Sequence, residues 1–462
     1  MALHAFDFNS GFPTVMHVDI NSCFATVEQQ ANPRLRGKPV VVAAYAEDHG
    51  CILAASVEAK RLGIKTGMRV REAKVIFRNV VVLAPDPDKY RFVNRALLKL
   101  LASYSSNVSV ESIDEMVMSL QGSPSLERFI IKQRYCHFAG VSELNKEQIS
   151  LIHNSVFTNQ EVELAMKETG KEIKRRIKGE IGDWLTVSIG IAPNRYLAKV
   201  ASGLKKPDGL DLITRETIVS VLSRLKLEDL CGIKTATANR LRYAGILNPL
   251  MMYEVDAEIL QRAFQSITGY RWWMRLHGYD PSTDSGQETF SAFGKNSQEQ
   301  KSFGQSYAMG KPYTPQSTGL HQVLTQLVMK MGRRLRTAGC TARGIGVSTL
   351  FTDYSHWHQQ HTFAQNFYAD SDFYKKIQQM LLAAPRAPVR ILAVYCYKLE
   401  FGSGQESLLP EDNRKRHLTE AIDAVHERFG DFVITPGRML HMDQKVLDRI
   451  AFGKVRDLHR LV

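Results

Sequence analysis

The stretch Val15-Met16-His17-Val18-Asp19, bounded by Pro13 and Asn21, is short, mostly apolar and ends on a carboxylate. Such a run without clean alternation predicts a buried strand. Working outward, Ser22 to Gln30 has helical character, which Asn32-Pro33 ends. Pro39–Ala44 and Ile52–Ala55 predict short strands, Glu58–Leu62 and Arg71–Phe77 short helices, and Val80–Leu83 a further strand. Asp86 as N-cap, with Pro87 in the first helical position, opens a helix to Tyr104. Its apolar face is Phe92, Val93, Ala96, Leu97, Leu100, Leu101 and Tyr104. Val108–Ile113 and Met116–Leu120 predict two strands around a tight turn, Glu161–Ile181 an amphipathic helix, Leu185–Ile191 a strand and Pro193–Leu204 a helix. The strand at 15–19, the helix at 86–104, the hairpin, the helix at 161–181 and the strand at 185–191 spell β-α-β-β-α-β, the ferredoxin-like arrangement. The segment 31–83 is then a module inserted after the first strand. The stretch 121–160 has no strong period and reads as an insertion in the core.

Lys205-Lys206-Pro207-Asp208-Gly209 has turn chemistry and marks a change of character. Residues 210–287 are expected to be all-helical. Residues 288–316, rich in Gly, Ser, Gln and Lys, suit an exposed linker. Helix and strand then alternate: Gly319–Thr337, Gly344–Phe351, Ser371–Ala384 and Val389–Tyr397, with a strand at Lys301–Met309 joining the sheet. A polar stretch at 402–413 precedes a last helix, Arg414–Phe429. The fold class is α+β in several domains.

The 462 residues carry 60 Lys and Arg against 47 Asp and Glu, a net charge of +13. A hydrophobic fraction of 44% and a charged fraction of 23% exclude a disordered chain. No apolar stretch is long enough to span a membrane, and Met1 to Pro13 has no secretory signal pattern. The six cysteines form no C-x-x-C pair, so reduced thiols in a cytoplasmic protein are expected. His356 and His358, with His361 nearby, lack a Cys or acidic partner and read as surface histidines rather than a metal site. The basic excess suits a polyanion or an ordinary basic surface. Between 288 and 400 there are 13 Lys and Arg against 6 Asp and Glu, a net +7.

Three groups of residues carry chemistry. Asp19 ends the first strand, and Asp114-Glu115 sits at the turn of the hairpin. In a ferredoxin-like sheet these strands are neighbours, so three carboxylates converge at one edge. Such packing is unfavourable unless cations neutralise it, and hard oxygen donors suit Mg²⁺. Two such ions can clamp an in-line phosphoryl displacement. An Asp-Glu pair alone is also ordinary turn chemistry. Second, Gly232-Ile233-Lys234 and Gly245-Ile246 have the pattern of a helix-hairpin-helix, whose turn lets backbone N–H groups approach a DNA phosphate. Lys234 stands where a second glycine is usual, and a plain helical packing unit fits as well. Third, Arg333, Arg334 and Arg336 cluster near a helix end, as a phosphate-tracking surface or a solvated helix face.

The motifs His17-Val18-Asp19-Ile20-Asn21-Ser22-Cys23-Phe24-Ala25, Ser112-Ile113-Asp114-Glu115 and Ser188-Ile189-Gly190-Ile191-Ala192-Pro193-Asn194-Arg195-Tyr196-Leu197-Ala198-Lys199 resemble, in order, those of the Y-family translesion DNA polymerases. The resemblance implies a right-hand polymerase. Its parts are a ferredoxin-like palm (1–30 and 84–205), small fingers (31–83), a helical thumb with the helix-hairpin-helix (206–287), a linker (288–300), an α/β little finger (301–400) and a tail (401–462). It implies error-prone, DNA-templated nucleotidyl transfer past damaged bases, without proofreading, by a monomer acting on primer–template DNA and dNTPs. Asp19, Asp114 and Glu115, with the Ile20 carbonyl, would hold two Mg²⁺ ions. Phe24 would be the steric gate that rejects a ribose 2′-OH, although on residue pattern alone it is a core aromatic. Lys199 would meet the incoming triphosphate, with Lys60 and Tyr90 as further nucleotide-binding residues.

The chain departs from the family in places. Val57 and Lys60 stand where Tyr and Arg are frequent, which weakens the expected triphosphate grip, and Asn21 replaces a frequent Asp. These features resemble the polymerase V catalytic subunit more than polymerase IV, while the tail resembles a third, Gram-positive-type branch, so the branch stays open. In the tail, Gln405-Glu406-Ser407-Leu408-Leu409 resembles the bacterial sliding-clamp peptide, with Gln405, Leu408 and Leu409 as anchors. Two other classes compete with an active polymerase: a catalytically inactive, polymerase-like scaffold in a mutagenesis complex, and a nucleotidyl cyclase. The complete acid set speaks against the first. The helix-hairpin-helix and the basic C-terminal domain speak against the second.

Overall fold

A computed structural model describes residues 7–138, 156–281, 301–402, 410–430 and 432–442. The described residues divide into two compact units, 7–281 and 301–442.

The first unit is built on β1 (Val15–Ile20), all six residues of which are buried. It lies mid-sheet between β6 (Glu115–Ser119) and β7 (Val187–Ala192), antiparallel to both. With β5 (Val108–Val110) and β8 (Leu210–Leu212) the order is β5-β6-β1-β7-β8. The first four of these strands have the ferredoxin-like order. A strand covered on both faces needs no alternation, which is why Val15–Ile20 is a nearly continuous apolar run. Helix α1 (Cys23–Ala31) follows β1. The inserted module contains β2 (Val40–Ala43), β3 (Ile52–Ala55), α2 (Val57–Arg61), α3 (Val70–Ile76) and β4 (Val81–Leu83). Its strands form a separate sheet, β3-β2-β4, over a small core of its own.

Helix α4 (Pro87–Ala102) is capped by the Asp86 side chain, which accepts the Lys89 N–H. Helix α5 (Pro124–Phe138) occupies part of the stretch expected to be a patternless insertion. It is part of the core instead: Leu126 and Ile130 are buried with the sheet residues. Its polar positions hide the period. Residues 139–155 lie outside the described part. Helix α6 (Asn159–Arg176) opens with a capping box between Thr158 and Glu161 and ends in a π turn, Ile177–Ile181.

Helix α7 (Arg195–Leu204), capped by Asn194, packs tightly on β7. A Cβ at Gly190 would stand 2.0 Å from the Ala198 carbonyl oxygen. Beyond it the chain is not all-helical as expected. β8 pairs in parallel with β7, and three residues are too few to show a period. Helices α8 (Ile218–Leu222), α9 (Thr235–Tyr243), α10 (Pro249–Glu254), α11 (Ala257–Phe264) and α12 (Thr268–Leu276) follow. Their core includes Val15, Val117 and Ala192 of the sheet and Leu197, Ala198 and Ala201 of α7.

The second unit is an all-antiparallel sheet whose four strands, counted in chain order, lie third, second, fourth, first. Its elements are β9 (Ser302–Tyr313), α13 (Thr318–Thr337), β10 (Cys340–Phe351), β11 (His356–Phe367), α14 (Asp370–Leu381), β12 (Val389–Phe401) and α15 (Pro410–Phe429). Its core joins the sheet to α13 and α14. The His356-His358-His361 segment is a sheet-edge strand, and all three histidines are exposed. Among the described residues no group of His, Cys, Asp and Glu forms a ready metal cage, and no helix is long and apolar enough to cross a membrane. Cys23, Cys51, Cys231, Cys340 and Cys396 are free thiols.

Candidate active site

Strand register creates the acid cluster. Asp19, on the last turn-ward position but one of β1, pairs with Glu115, the first residue of β6. The Ile20 N–H donates to the Asp114 carbonyl at 2.9 Å, which ties the β5–β6 turn to the end of β1. Within that turn the Ser112 hydroxyl donates to Asp114 Oδ1 at 2.5 Å, and Ser112 Oγ accepts the Glu115 N–H at 3.1 Å. Asn94 of α4 donates to the Ile113 carbonyl at 2.8 Å. The turn is therefore fixed from several sides before any ligand arrives.

Two lysines meet the acids. Lys199 Nζ donates to Glu115 Oε2 at 2.5 Å, and Lys206 Nζ to Asp19 Oδ2 at 2.5 Å. Buried His17 stands 3.8 Å from Glu115 Oε2 and lies 3.1 Å from Ser202 Oγ through its other ring nitrogen. Burial works to raise the Glu115 carboxyl, but His17 and Lys199 outweigh it and hold the group at about 2. Burial raises the Asp114 carboxyl against the pull of Ser112, and the charges of Asp19 and Glu115 add to the rise. Asp114 thus feels carboxylates whose charge the lysines do not cancel at its own position. An all-oxygen set of this kind fits hard divalent cations. It is an open arrangement rather than a closed cage, as expected where substrate phosphates complete the coordination.

A cleft of about 490 Å³ opens beside the acids, lined by Asp19, Ile20, Phe24, Asp114, Glu115 and Lys206 among others. The inserted module contributes Val57, Lys60 and Arg61. Burial lowers the Lys60 ammonium, and the nearby Lys206 charge lowers it further. Phe24 is 3% exposed, with its ring stacked on Tyr90 at 4.3 Å and 11°. Tyr90, expected near the triphosphate, is not among the cleft's lining residues. It stands behind Phe24, and its hydroxyl donates to buried Glu28 at 3.0 Å. Lys199 does not line the cleft either and is spent on Glu115. Two cations that sequence reasoning missed line the cleft, Arg61 and Lys206, and it is Lys206 that meets an acid. Its only signal was Lys205-Lys206-Pro207, which reads as a turn.

The other expected sites are more scattered. Gly232, at φ +97°, passes over the Trp272 ring, and a Cβ there would lie 3.3 Å from it. Gly232 and Gly245 (φ +82°) flank α9, Ile233 and Ile246 are buried, and Lys234 is exposed at the head of the helix. In the second unit the arginine cluster separates. Arg333 is half-buried, and Arg334 donates to the Gly304 carbonyl at 3.1 Å. Arg336 is no surface residue. Its side chain is 4% exposed and is gripped by Asp370 at 2.8 Å and Asp423 at 2.5 Å, so helix packing consumes its charge. Gln405, Leu408 and Leu409 lie outside the described residues.

Comparison with known proteins agrees with this geometry. A curated DNA polymerase IV from Pelotomaculum thermopropionicum is 28% identical over 91% of this chain and 94% of its own length. DNA polymerase IV 1 of Bacillus subtilis is 26% identical over 95% and 96%. Among solved structures, a Y-family DNA polymerase chimera, Dbh-Dpo4-Dbh, superposes with a TM-score of 0.61 at 21% identity, covering 84% of this chain and 99% of that one. An insertion ternary complex of Dbh DNA polymerase gives 0.51 at 20%, with the same coverage. Fold, acid cluster and relatives together define a DNA-directed DNA polymerase of the Y-family, a class that depends on divalent metal ions. The chain belongs to the impB/mucB/samB family, whose profile matches residues 18–203 and whose C-terminal domain profile matches 300–408. The relatives support the active polymerase and not the inactive scaffold.

Proposed function

We propose that this protein extends primers on damaged DNA templates without proofreading, as a cytoplasmic monomer using two Mg²⁺ ions. The observation that carries the reading is the placement of Asp19, Asp114 and Glu115 at neighbouring strand ends, beside a cleft lined by the buried Phe24 ring. Asp19, Asp114, Glu115 and the Ile20 carbonyl would hold the ions. When bound, these supply charge neutralisation at the attacking and leaving oxygens of an in-line displacement. Lys199 holds Glu115 ionised and oriented. Lys206 and Lys60 present ammonium groups to the triphosphate as point charges. Phe24 occupies the volume that a 2′-OH would need.

The domain roles follow the same reading: the five-stranded sheet with α4, α6 and α7 as palm, the inserted module as fingers, α8–α12 as thumb and the second unit as little finger. Gly232, Lys234 and Gly245 would face phosphates of the primer–template, as would Arg333 and Arg334. Gln405, Leu408 and Leu409 would dock a bacterial sliding clamp.

Primer extension on undamaged and abasic templates tests the proposal, with Mg²⁺ varied and Asp114→Ala beside the wild type. Wild type should extend both templates only with Mg²⁺, and the folded variant should not extend. Absence of Mg²⁺-dependent extension by wild type would refute the function. Undiminished extension by Asp114→Ala would refute the site. Phe24→Ala should admit ribonucleotides, and unchanged sugar selection would move the gate elsewhere.

A further inference from the structure

Asn21 is 4% exposed, two residues past Asp19, and both ends of its amide are used. Nδ2 donates to Ser188 Oγ at 2.8 Å, and Oδ1 accepts the backbone N–H of Asp208 at 2.8 Å. Its main chain is fixed as well: the N–H donates to the Thr186 carbonyl at 2.9 Å, and the carbonyl accepts the Thr26 hydroxyl at 2.6 Å. Ser188 Oγ also takes the Gly209 N–H at 3.4 Å. One small polar pair thus holds the amides of two consecutive residues in the loop 205–209.

That loop has features of a segment held in place rather than merely turning. Asp208 adopts φ +60°, a left-handed conformation that is strained for a non-glycine residue and persists where the surroundings impose it. Lys174 supplies a further anchor, reaching Asp208 Oδ1 at 2.9 Å and the Gly209 carbonyl at 3.2 Å. Of the loop residues, Lys206 and Pro207 line the cleft. The ammonium of Lys206 is set on Asp19. A lysine side chain has several freely rotating bonds, so where it reaches depends on where its backbone is held.

We propose that Asn21, working with Ser188, is a positioning residue: it pins the Asp208–Gly209 backbone and so aims Lys206 at the triphosphate of the incoming nucleotide. The inference rests on the reading of Lys206 given above. It assigns Asn21 a task other than metal binding, although it stands beside Asp19. An amide suits this task because it donates and accepts at once without adding a negative charge to the acid cluster.

The test is nucleotide affinity in the full chain on primer–template. Equilibrium Kd for the correct dNTP on a dideoxy-terminated primer is measured beside KM and kcat for single-nucleotide insertion. The proteins are wild type, Asn21→Ala, Ser188→Ala, Lys206→Ala and the two double variants with Lys206→Ala. Losing one or two hydrogen bonds at the anchor should weaken dNTP binding about five- to thirtyfold in Asn21→Ala. Ser188→Ala, nearly isosteric, should weaken it less but in the same parameter. kcat should change far less than Kd. Added to Lys206→Ala, neither substitution should weaken binding further, since both act through that lysine. Multiplying effects in the double variants, with Lys206→Ala itself impaired, would overturn the role of Asn21 and leave Lys206 standing. Unchanged Kd in Lys206→Ala would overturn both. If Asn21→Ala does not fold, the Ser188→Ala pair decides the question alone.

Discussion

The support beneath Phe24 makes a separable prediction, because Tyr90 offers its ring and its hydroxyl to different neighbours. Tyr90 is 1% exposed. Its ring backs Phe24 at 4.3 Å. Its hydroxyl donates to Glu28 at 3.0 Å and accepts the Asp86 N–H at 3.1 Å. Burial pushes that hydroxyl well up, so it stays neutral. Tyr90→Phe keeps the ring stack but leaves a buried carboxylate oxygen and an amide each short of a partner, a cost of about 1–3 kcal/mol. Tyr90→Ala removes the ring as well, a loss of about 3–5 kcal/mol with a void directly behind the Phe24 ring. Both fit within a typical stability of about 5–15 kcal/mol, so both should be measurable as folded proteins in the cold. Denaturant midpoints give the stability, and kcat/KM for a dNTP against its rNTP gives the sugar discrimination. Tyr90→Phe should lose stability and keep its discrimination within about twofold. Tyr90→Ala should lose both, with discrimination falling by about tenfold or more, equivalent to roughly 1.4 kcal/mol, if Phe24 acts as proposed. A folded Tyr90→Ala with wild-type discrimination would show that Phe24 holds its place without this support.

In the second unit, Arg336→Met strands Asp370 and Asp423 and should cost about 3–5 kcal/mol in denaturation of this unit. The salt slope of primer–template binding should not change, whereas loss of a phosphate contact would lower it by about one. At acid pH, Arg134 above all, helped by Thr158, holds the Glu161 carboxyl at about 2 against burial and an ordinary 4.5. The folded state thus resists its protonation: the contribution is whole above pH 4.5 and is lost as pH falls toward 2. Glu161→Gln should therefore cost about 1 kcal/mol at pH 7, after allowance for its partial exposure, and nothing near pH 2; equal cost at both pH values, from urea midpoints, would exclude this linkage. Deleting Gln405–Leu409 should abolish stimulation by the sliding clamp and spare clamp-free extension, compared in one primer-extension assay with and without clamp.

What the sequence discloses depends on whether a residue's task is settled locally. Val15–Ile20 reads as a strand because burial on both faces leaves nothing to alternate, and α4 because Asp86-Pro87 announces it. The three carboxylates are legible for a related reason: their place is fixed by strand ends, and strand order follows from the β-α-β-β-α-β pattern. β8 is not legible, since Leu210–Leu212 is a strand only by virtue of the β7 edge it meets. β11 is hidden because an exposed edge strand has no apolar face to display. The lysines show the same division inside the site. Lys199 is marked by its motif yet is spent on Glu115, while Lys206, spelled as part of a turn, is brought to Asp19 by the path of the returning chain. The arginines make the point most directly. Arg333, Arg334 and Arg336 form one basic string in sequence, but a helix rotates about 100° per residue and separates them. Arg336 then meets two carboxylates, one of which approaches only because residue 332 is glycine: a Cβ there would stand 2.0 Å from Asp370 Oδ1. A run of like charge on a helix is therefore not a patch until each residue has been placed against its neighbours, and the +7 of this region loses one of its members to the interior.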